Sequence, residues 1–409
     1  MELFYVQNNI DYYRKTLHGD IILNFKSPTE KEKSENIINL KHIYFGTNAV
    51  VNLTGKELEI NNNKLIKLNI KDKSNILLSE NFPLDLTNNY NNNYSENLKK
   101  LINKKKNKEI NILFINGFGA SIGDIIIGTS ALYLYYSYLK TYFKEINFYT
   151  FNEHQDACYE ILNKNTLIKN ILPYPVPIKE LYNFDGFIDL GGMISIPEFN
   201  DRPMIDFYLK IFGINYEVIP SYLKRTKLFY NLDENLDLKK FIIGFKVNKK
   251  PLLLFNTKAG TKIRTIPNVI CNIILKKILD TTDYTIITFQ DYDIINDRII
   301  NFSEFSKSLI DYITIVSQMD KILTTDTSTY HISDYFNIPT SVLFTTIEPE
   351  FRTKYYPFCK SYKIFNNNNS FIGKHFTETE KDNNELLNIY KNVDFDKIIK
   401  ELKNENFSI

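Results

Sequence analysis

Apolar residues follow two different rhythms along this chain. Between Ile21 and Leu84, short alternating runs such as HIYFGTNAVVNLT (42–54), KLIKLNI (64–70) and NILLS (75–79) are separated by turns rich in Gly, Asn and Lys. Period-two alternation bounded by turn residues predicts strands and hairpins, and hence a small β-rich unit. The stretch TNNYNNNYSENLKKLINKKKNKE (87–109) is polar with clustered lysines, a pattern that fits a spacer or a solvated helix. A domain boundary is expected near 105.

Beyond it the runs become continuously apolar and alternate with longer amphipathic stretches. NILFIN (111–116), a helix over about 124–143, INFYTF (146–151), a helix near 153–163 and GFIDL (186–190) follow one another. Strands that are apolar at every position are buried on both faces, as in a parallel sheet covered by helices. After the charged interval NLDENLDLKK (231–240) the pattern restarts. It runs through PLLLFN (251–256), a helix near 267–280, TIITF (285–289), a helix near 308–318, KILTTD (321–326), a short helix and SVLFTT (341–346). The closing segment NELLNIYKNVDFDKIIKELKN has helical periodicity and can pack back on either unit. The expected fold class is therefore α/β, with two Rossmann-like domains preceded by a small β-rich N-terminal domain. The expected bounds are 1–105, 106–235 and 236–409.

Composition narrows the picture. A chain of 409 residues with 43% hydrophobic and 14% aromatic residues can bury more than one core. Lys+Arg 50 against Asp+Glu 48 leaves +2, which argues against a polyanion-binding protein and against global disorder. Cys158, Cys271 and Cys359 are too far apart for a disulfide framework or a metal knuckle, so a reducing compartment is expected. The start MELFYVQNNIDYYRK lacks the basic and apolar regions of a signal peptide, and no apolar run reaches membrane-spanning length. The expected location is the cytoplasm.

Three stretches carry candidate chemistry. In NGFGASIGD, Gly117, Gly119, Gly123 and Asp124 lie between a strand and a helix, where a glycine turn lets a ligand approach backbone amides. The spacing is GxGxxxG, one residue off the dinucleotide fingerprint, and Glu153 comes 36 residues after Gly117 rather than about 20, so a dinucleotide oxidoreductase is disfavoured. Asp124 fits a helix cap or, if it faces a cleft, a general base. In FNTKAGTKIRTIP, Thr257, Lys258, Thr261, Lys262 and Arg264 occupy a strand-to-helix loop; such loops lie at the ligand-binding edge of open α/β sheets, and three cations there suit a diphosphate. In KILTTDTSTYH, Asp326, Thr327, Ser328 and Thr329 open a helix with hydroxyls and free amides, a second anion site, and His331 follows within it. His331 alone fits a satisfied core histidine as well as a ligand contact.

Together these stretches resemble the family 9 glycosyltransferases, the heptosyltransferase family, over roughly 110–400. SIGDIIIGTSAL is similar to that family's turn ending in Gly-Asp before Ala-Leu, RTIP to its cation followed by Trp-Pro, and DTSTYH to its Asp-Thr-Gly-x-x-His. MIDFYLKIFGI (204–214) is similar to the segment before the family's interdomain connection. The chain departs from the pattern at Ser328, which stands for the usual glycine, and at Ile266, which stands for the usual tryptophan. The N-terminal stretches IYFGTNAVVNLTGKELEI and KLNIKDKSNILLSENF resemble the autotransporter heptosyltransferases, whose cysteine-rich iron finger this chain lacks, with Cys359 alone in that region.

The resemblance implies a GT-B fold with two facing Rossmann domains, the first on the acceptor side and the second on the nucleotide-sugar side. It implies transfer of a sugar, from ADP-heptose or a related nucleotide sugar, to a hydroxyl acceptor by inverting displacement, with Asp124 as base. The implied donor-binding residues are Gly119, Gly123, Thr257, Lys258, Lys262, Arg264, Asp326, Thr327, Ser328, Thr329 and His331. Gln290, Asp291 and Asp293, with Lys307, Ser308 and Leu309, are candidates for the nucleoside. No metal or other cofactor is expected, because the nucleotide sugar is a co-substrate. The expected partners are that donor and a protein or saccharide acceptor, bacterial surface proteins among them, with no nucleic acid, no membrane span and a possible homo-oligomer. The alternatives are a degenerate nucleotide-sugar-binding assembly subunit and a lipopolysaccharide-type transferase with a saccharide acceptor.

Overall fold

The structure is a computed structural model of the 409-residue chain. It describes residues 2–6, 10–16, 19–25, 49–52, 65–67, 84–86, 94–115, 118–119, 121–151, 157–172, 183–190, 199, 201–228, 235–246, 250–365, 371 and 380–404. Gly117, Glu153 and the NILLS run lie outside these residues. The chain divides into two compact units. The first comprises Met1–Ala120, Ala131–Ile196 and Asp206–Val218; the second comprises Ser121–Ser130, Pro197–Ile205 and Ile219–Ile409.

In the first unit, β1 (Glu2–Val6) pairs antiparallel with β4 (Ala49–Asn52) and β5 (Leu65–Lys67). β2 (Ile10–Thr16) and β3 (Gly19–Phe25) form a hairpin. These are the antiparallel strands expected at the N-terminus. β6 (Leu84–Asp85) instead joins the parallel sheet, and the polar stretch that follows carries helix α1 (Tyr94–Lys105). Next come β7 (Glu109–Ile115), helix α2 (Ile122–Leu139), β8 (Glu145–Phe151), α3 (Ala157–Asn163), β9 (Ile168–Leu172), β10 (Gly186–Asp189) and α4 (Met204–Ile211). The sheet order is β6-β10-β7-β8-β9, all parallel. Its core is aromatic: Phe114 lies 5.5 Å from Phe148 and 5.4 Å from Phe212, ring centre to ring centre, and Tyr135 lies 5.1 Å from Phe212.

The second unit opens with α5 (Leu236–Gly244), inside the interval expected only to be charged. Its helix survives because Phe241 packs 4.8 Å from Phe305 and 6.1 Å from Phe302, so tertiary burial overrides a weak local signal. There follow β11 (Leu252–Asn256), α6 (Asn268–Thr281), β12 (Thr285–Thr288), β13 (Ile299–Asn301), α7 (Leu309–Ser317), β14 (Lys321–Thr325), α8 (Ser328–Tyr335), β15 (Thr340–Phe344), α9 (Glu350–Thr353), β16 (Cys359–Lys363), α10 (Glu380–Lys391) and α11 (Phe395–Asn404). The sheet order is β13-β12-β11-β14-β15-β16, again all parallel. β11 and β15 are buried at every position, as their unbroken apolar runs require. The closing helices pack on the second unit: Leu386, Tyr390, Phe395, Ile398 and Leu402 share one cluster with Phe255, Ile270, Ile274 and Ile278.

Each sheet has one place where the chain reverses its direction of progress. After β11 it moves outward to β12 and β13, then returns past β11 to lay down β14, β15 and β16. The loops leaving β11 and β14 therefore diverge and leave a crevice at the carboxyl edge, the usual ligand position in open α/β sheets.

The segment 219–228 is tied to α8 by a buried ion pair. Arg225 Nη2 lies 2.9 Å from Asp334 Oδ1, and the Thr226 amide donates to Asp334 Oδ2 at 3.1 Å. Asp334 is fully buried, and burial pushes its carboxyl up to about 6 against the opposing pull of Arg225 and the Thr226 amide. Removing the cation strands a buried carboxylate. Arg225→Ala is expected to cost about 3–5 kcal/mol of unfolding free energy in urea denaturation, and the Arg225→Ala/Asp334→Ala pair to cost less than the sum of the two single changes.

Candidate active site

The site is assembled from loops at the carboxyl edge of the second sheet. β11 ends in Asn256, whose side chain is buried and donates from Nδ2 to Thr329 Oγ1 at 2.7 Å and to Tyr312 Oη at 3.0 Å. The two hydroxyls lie 2.6 Å apart, so one donates to the other. Asn256 uses both amide protons and the mutual bond uses one hydroxyl proton. This closed triangle fixes the first turn of α8 relative to β11 and α7.

The loop after β11 is pinned from three sides. The Ile266 amide donates to the Thr257 carbonyl at 3.0 Å, Thr345 Oγ1 donates to the Ile263 carbonyl at 2.9 Å, and Thr325 Oγ1 donates to the Arg264 carbonyl. Ile263 and Ile266 are both fully buried, so Ile266 serves as an apolar anchor for the loop. Arg264 is consequently held over the end of β14. Its Nη1 lies 3.3 Å from Asp326 Oδ2, and its Nε donates to Thr261 Oγ1 at 3.0 Å. Asp326 also accepts from Tyr330 Oη at 3.2 Å. Lys258 and Lys262 are exposed, and neither forms an ion pair among the described residues.

Asp124 belongs to this same unit, because Ser121–Ser130 group with the second sheet. Ser121 precedes α2 and its Oγ accepts from the Asp124 amide at 3.2 Å, which places Asp124 in the first helical turn. Gly123 lies directly against His331: a Cβ there would stand 3.2 Å from His331 Cδ2 and 3.4 Å from Nε2, closer than side-chain carbons ordinarily approach. Glycine is therefore needed for α2 and α8 to meet. Asp124 is half-buried, and burial raises its carboxyl above the usual range; Ser121, Arg352 and Arg264 pull it down and Asp326 pushes it up.

His331 is 4% exposed, and its Nδ1 shares a 2.8 Å hydrogen bond with Tyr356 Oη. Burial lowers its pKa to about 3, so the imidazole is neutral at ordinary pH. It is a satisfied interior histidine whose other edge faces Gly123.

Among the other expected residues, Thr257 Oγ1 lies 2.8 Å from Tyr292 Oη, with Gln290 Nε2 at 3.4 Å. Asp291 and Asp293 are exposed and are held by Asn301 and Asn272 at 2.8 Å each. Ser308 caps α7 in a reciprocal box with Asp311, and the Lys307 amide donates to that same carboxylate. Thr327 precedes α8 in extended conformation and its side chain does not cap the helix, so the Ser328 and Thr329 amides face the loop end without a side-chain cap. Gly119 lies in the first unit at φ 114°, after Phe118 at φ 69°. That unusual backbone is held by Phe118 stacking 4.8 Å from Phe114 and by Tyr208 Oη donating to the Phe118 carbonyl at 2.6 Å.

Arg352, on α9 after β15, was not singled out from the sequence, nor were Asn256, Tyr312 and Tyr356. Arg352 had a signal: it follows a buried strand in a strand-to-helix loop, TTIEPEFR, on the same edge as the other loops. Among the described residues no group of three or more His, Cys, Asp or Glu is placed to hold a metal ion, and no helix is long and apolar enough to cross a membrane.

No family model matches the sequence, and no curated protein matches it. Solved structures do. The chain superposes on Escherichia coli ADP-heptose lipopolysaccharide heptosyltransferase II at 12% identity, covering 72% of this chain and 98% of that one with a TM-score of 0.50. The chain has the fold of the heptosyltransferases. It is also similar to the iron-containing dodecameric glycosyltransferase TibC of enterotoxigenic E. coli H10407, at 11% identity over 74% and 79% of the two chains and a TM-score of 0.49. A third likeness is to the family 9 glycosyltransferase of Veillonella parvula, at 9% identity, 63% and 86% coverage and a TM-score of 0.44.

The buried imidazole makes a pH prediction. Unfolded His331 binds a proton below its ordinary pKa of 6.5, whereas the native residue resists protonation down to about 3. The unfolded state thus holds more protons in this window, and native stability falls as pH falls. Between about pH 7 and about pH 5 the loss from this group is expected to be about 2 kcal/mol. His331→Gln should flatten that part of the stability profile measured by denaturant unfolding.

Proposed function

We propose that this protein is a glycosyltransferase that moves a sugar from a nucleotide-diphosphate donor to a hydroxyl acceptor. The observation that carries the reading is the meeting of α2 and α8: Gly123 against His331 brings Asp124 into the field of Arg352, Arg264 and Asp326 at the switch point of the second sheet. A carboxylate base, cations and uncapped helix amides are the parts that sugar transfer from a diphosphate needs. The heptosyltransferase fold supports the same reading.

The mechanism is a single displacement with inversion. Asp124 accepts the proton of the acceptor hydroxyl while that oxygen forms a bond to the anomeric carbon, and the bond from that carbon to the diphosphate oxygen breaks with its electron pair. The nucleoside diphosphate leaves with increased charge. A carboxyl raised by burial is a stronger base than an exposed one, which suits a proton abstraction near neutral pH. Lys258 and Lys262, on the loop that Arg264 orders, together with the amides at 327–329, offset the charge on the departing diphosphate, the task a metal ion performs elsewhere. The donor is ADP-heptose or a related nucleotide sugar, in line with the name of the superposed enzyme. The acceptor is a protein, and the antiparallel strands β1 to β5 provide an edge for contacting it. The protein acts in the cytoplasm.

Asp124→Asn is expected to lower turnover about 100-fold or more while leaving donor binding nearly intact, measured by transfer kinetics and calorimetry on the same preparation. Unchanged turnover would leave Asp124 as a residue of the helix start alone. EDTA is expected to leave the rate unchanged, and a loss restored by a divalent cation would overturn the cation-only account.

A further inference from the structure

Arg264 was the natural cation for the diphosphate, but two of its three nitrogens already face partners within the protein. Nη1 faces the Asp326 carboxylate at 3.3 Å, Nε is bonded to Thr261, and the Asp326 side chain is only 9% exposed while that of Arg264 is 28% exposed, so the carboxylate is shielded and the arginine half-buried. Its charge is mostly balanced within the protein.

Arg352 is placed differently. It rides on α9, the short helix after β15, and its guanidinium carbon lies 5.3 Å from the centre of the Phe199 ring. Contact over the ring leaves most of the N–H rim of the planar group available. Among the described residues its side chain makes one hydrogen bond, from Nη1 to the neighbouring Phe351 carbonyl at 3.3 Å, and no ion pair within 4.0 Å. Asp124, Tyr330, His331 and Tyr356 all sit within its electrostatic reach, and on Asp124 its pull exceeds that of Arg264. A half-buried guanidinium with a stacked face and unspent donors is built to take a polyatomic anion in two-pronged fashion.

We propose that Arg352 is a principal diphosphate-binding residue of this site, taking phosphoryl oxygens on its free N–H rim while Arg264 orders the loop through Asp326. The inference rests on the nucleotide-sugar reading and adds to it a residue and a division of labour between two arginines. Asp326 is thereby a structural partner of Arg264 and not a direct ligand contact.

The test is calorimetric binding of ADP, inorganic pyrophosphate and adenosine to the full chain and to Arg352→Gln, Arg352→Lys and Arg264→Gln. Arg352→Gln is expected to weaken ADP and pyrophosphate by about 10-fold or more and to leave the ratio of adenosine affinities near one, because only the phosphate contacts are lost. Arg352→Lys keeps the charge but not the fork, and should recover only part of the loss. Arg264→Gln should reduce affinity for all three ligands together and lower the thermal midpoint, as expected of a loop-ordering residue. Pyrophosphate binding within about 2-fold of wild type in folded Arg352→Gln, with loss in Arg264→Gln confined to ADP and pyrophosphate, overturns the division of labour and leaves the transferase reading standing. Failure of the unaltered protein to bind either phosphate probe overturns both.

Discussion

The site depends on one topological constraint. β11 and β14 are parallel neighbours, paired so that Phe255 faces Leu323 and Asn256 faces Thr324, yet the chain leaves them in opposite directions across the sheet. Helical crossovers force every parallel strand to end on the same edge, and reversal of direction keeps the two departing loops from covering each other. Arg264 and Asp326, 62 residues apart, meet there because Asp326 directly follows β14 and the loop after β11 is pinned with Arg264 over that strand's end. The Asn256–Tyr312–Thr329 triangle locks that meeting from below with hydrogen bonds that are buried and therefore costly to break.

Electrostatics then sort three groups that look alike on paper. Asp326 is balanced by Arg264 and Asp334 by Arg225, whereas at Asp124 burial outweighs the pull of Ser121, Arg352 and Arg264 and raises the carboxyl. His331, next to Asp124 along Gly123, is held neutral, so it adds no cation to quench the carboxylate. The environment of a group, not its type, sets how firmly it holds its proton.

Glycine and serine at the start of α2 have distinct physical duties. Ser121 accepts the Asp124 amide and so starts the helix, while Gly123 supplies the missing side chain that lets His331 approach. The helix that follows is largely apolar, and the buried Thr129 and Ser130 hydroxyls are satisfied within it, bonding the Ile125 carbonyl at 2.8 Å and the Ile126 carbonyl at 2.7 Å. Cap and helix together allow a charged residue to sit at the edge of a greasy element without being drawn inside it.

Much of the architecture was legible in the sequence. Runs such as PLLLFN and TSVLF are apolar at consecutive positions, and only a strand covered on both faces buries such a run. Short edge strands were not legible: β9, β13 and β16 have half-buried, mixed residues, and their pairing comes from a neighbour already in place. Helix α5 was hidden because the packing of Phe241 against Phe302 and Phe305, far along the chain, lies outside any local window. The cation-rich loop, the Asp-Thr-Ser-Thr turn and Asp124 could be found from residue type and position after strands. What each contributes was decided in three dimensions: a sequence lists charges, but distances determine that Arg264 faces Asp326 while Arg352, unnoticed as one letter in EFRTKYY, forms no ion pair among the described residues and lies over Phe199. Pairing falls off with separation and exposure, and neither quantity is written along the chain.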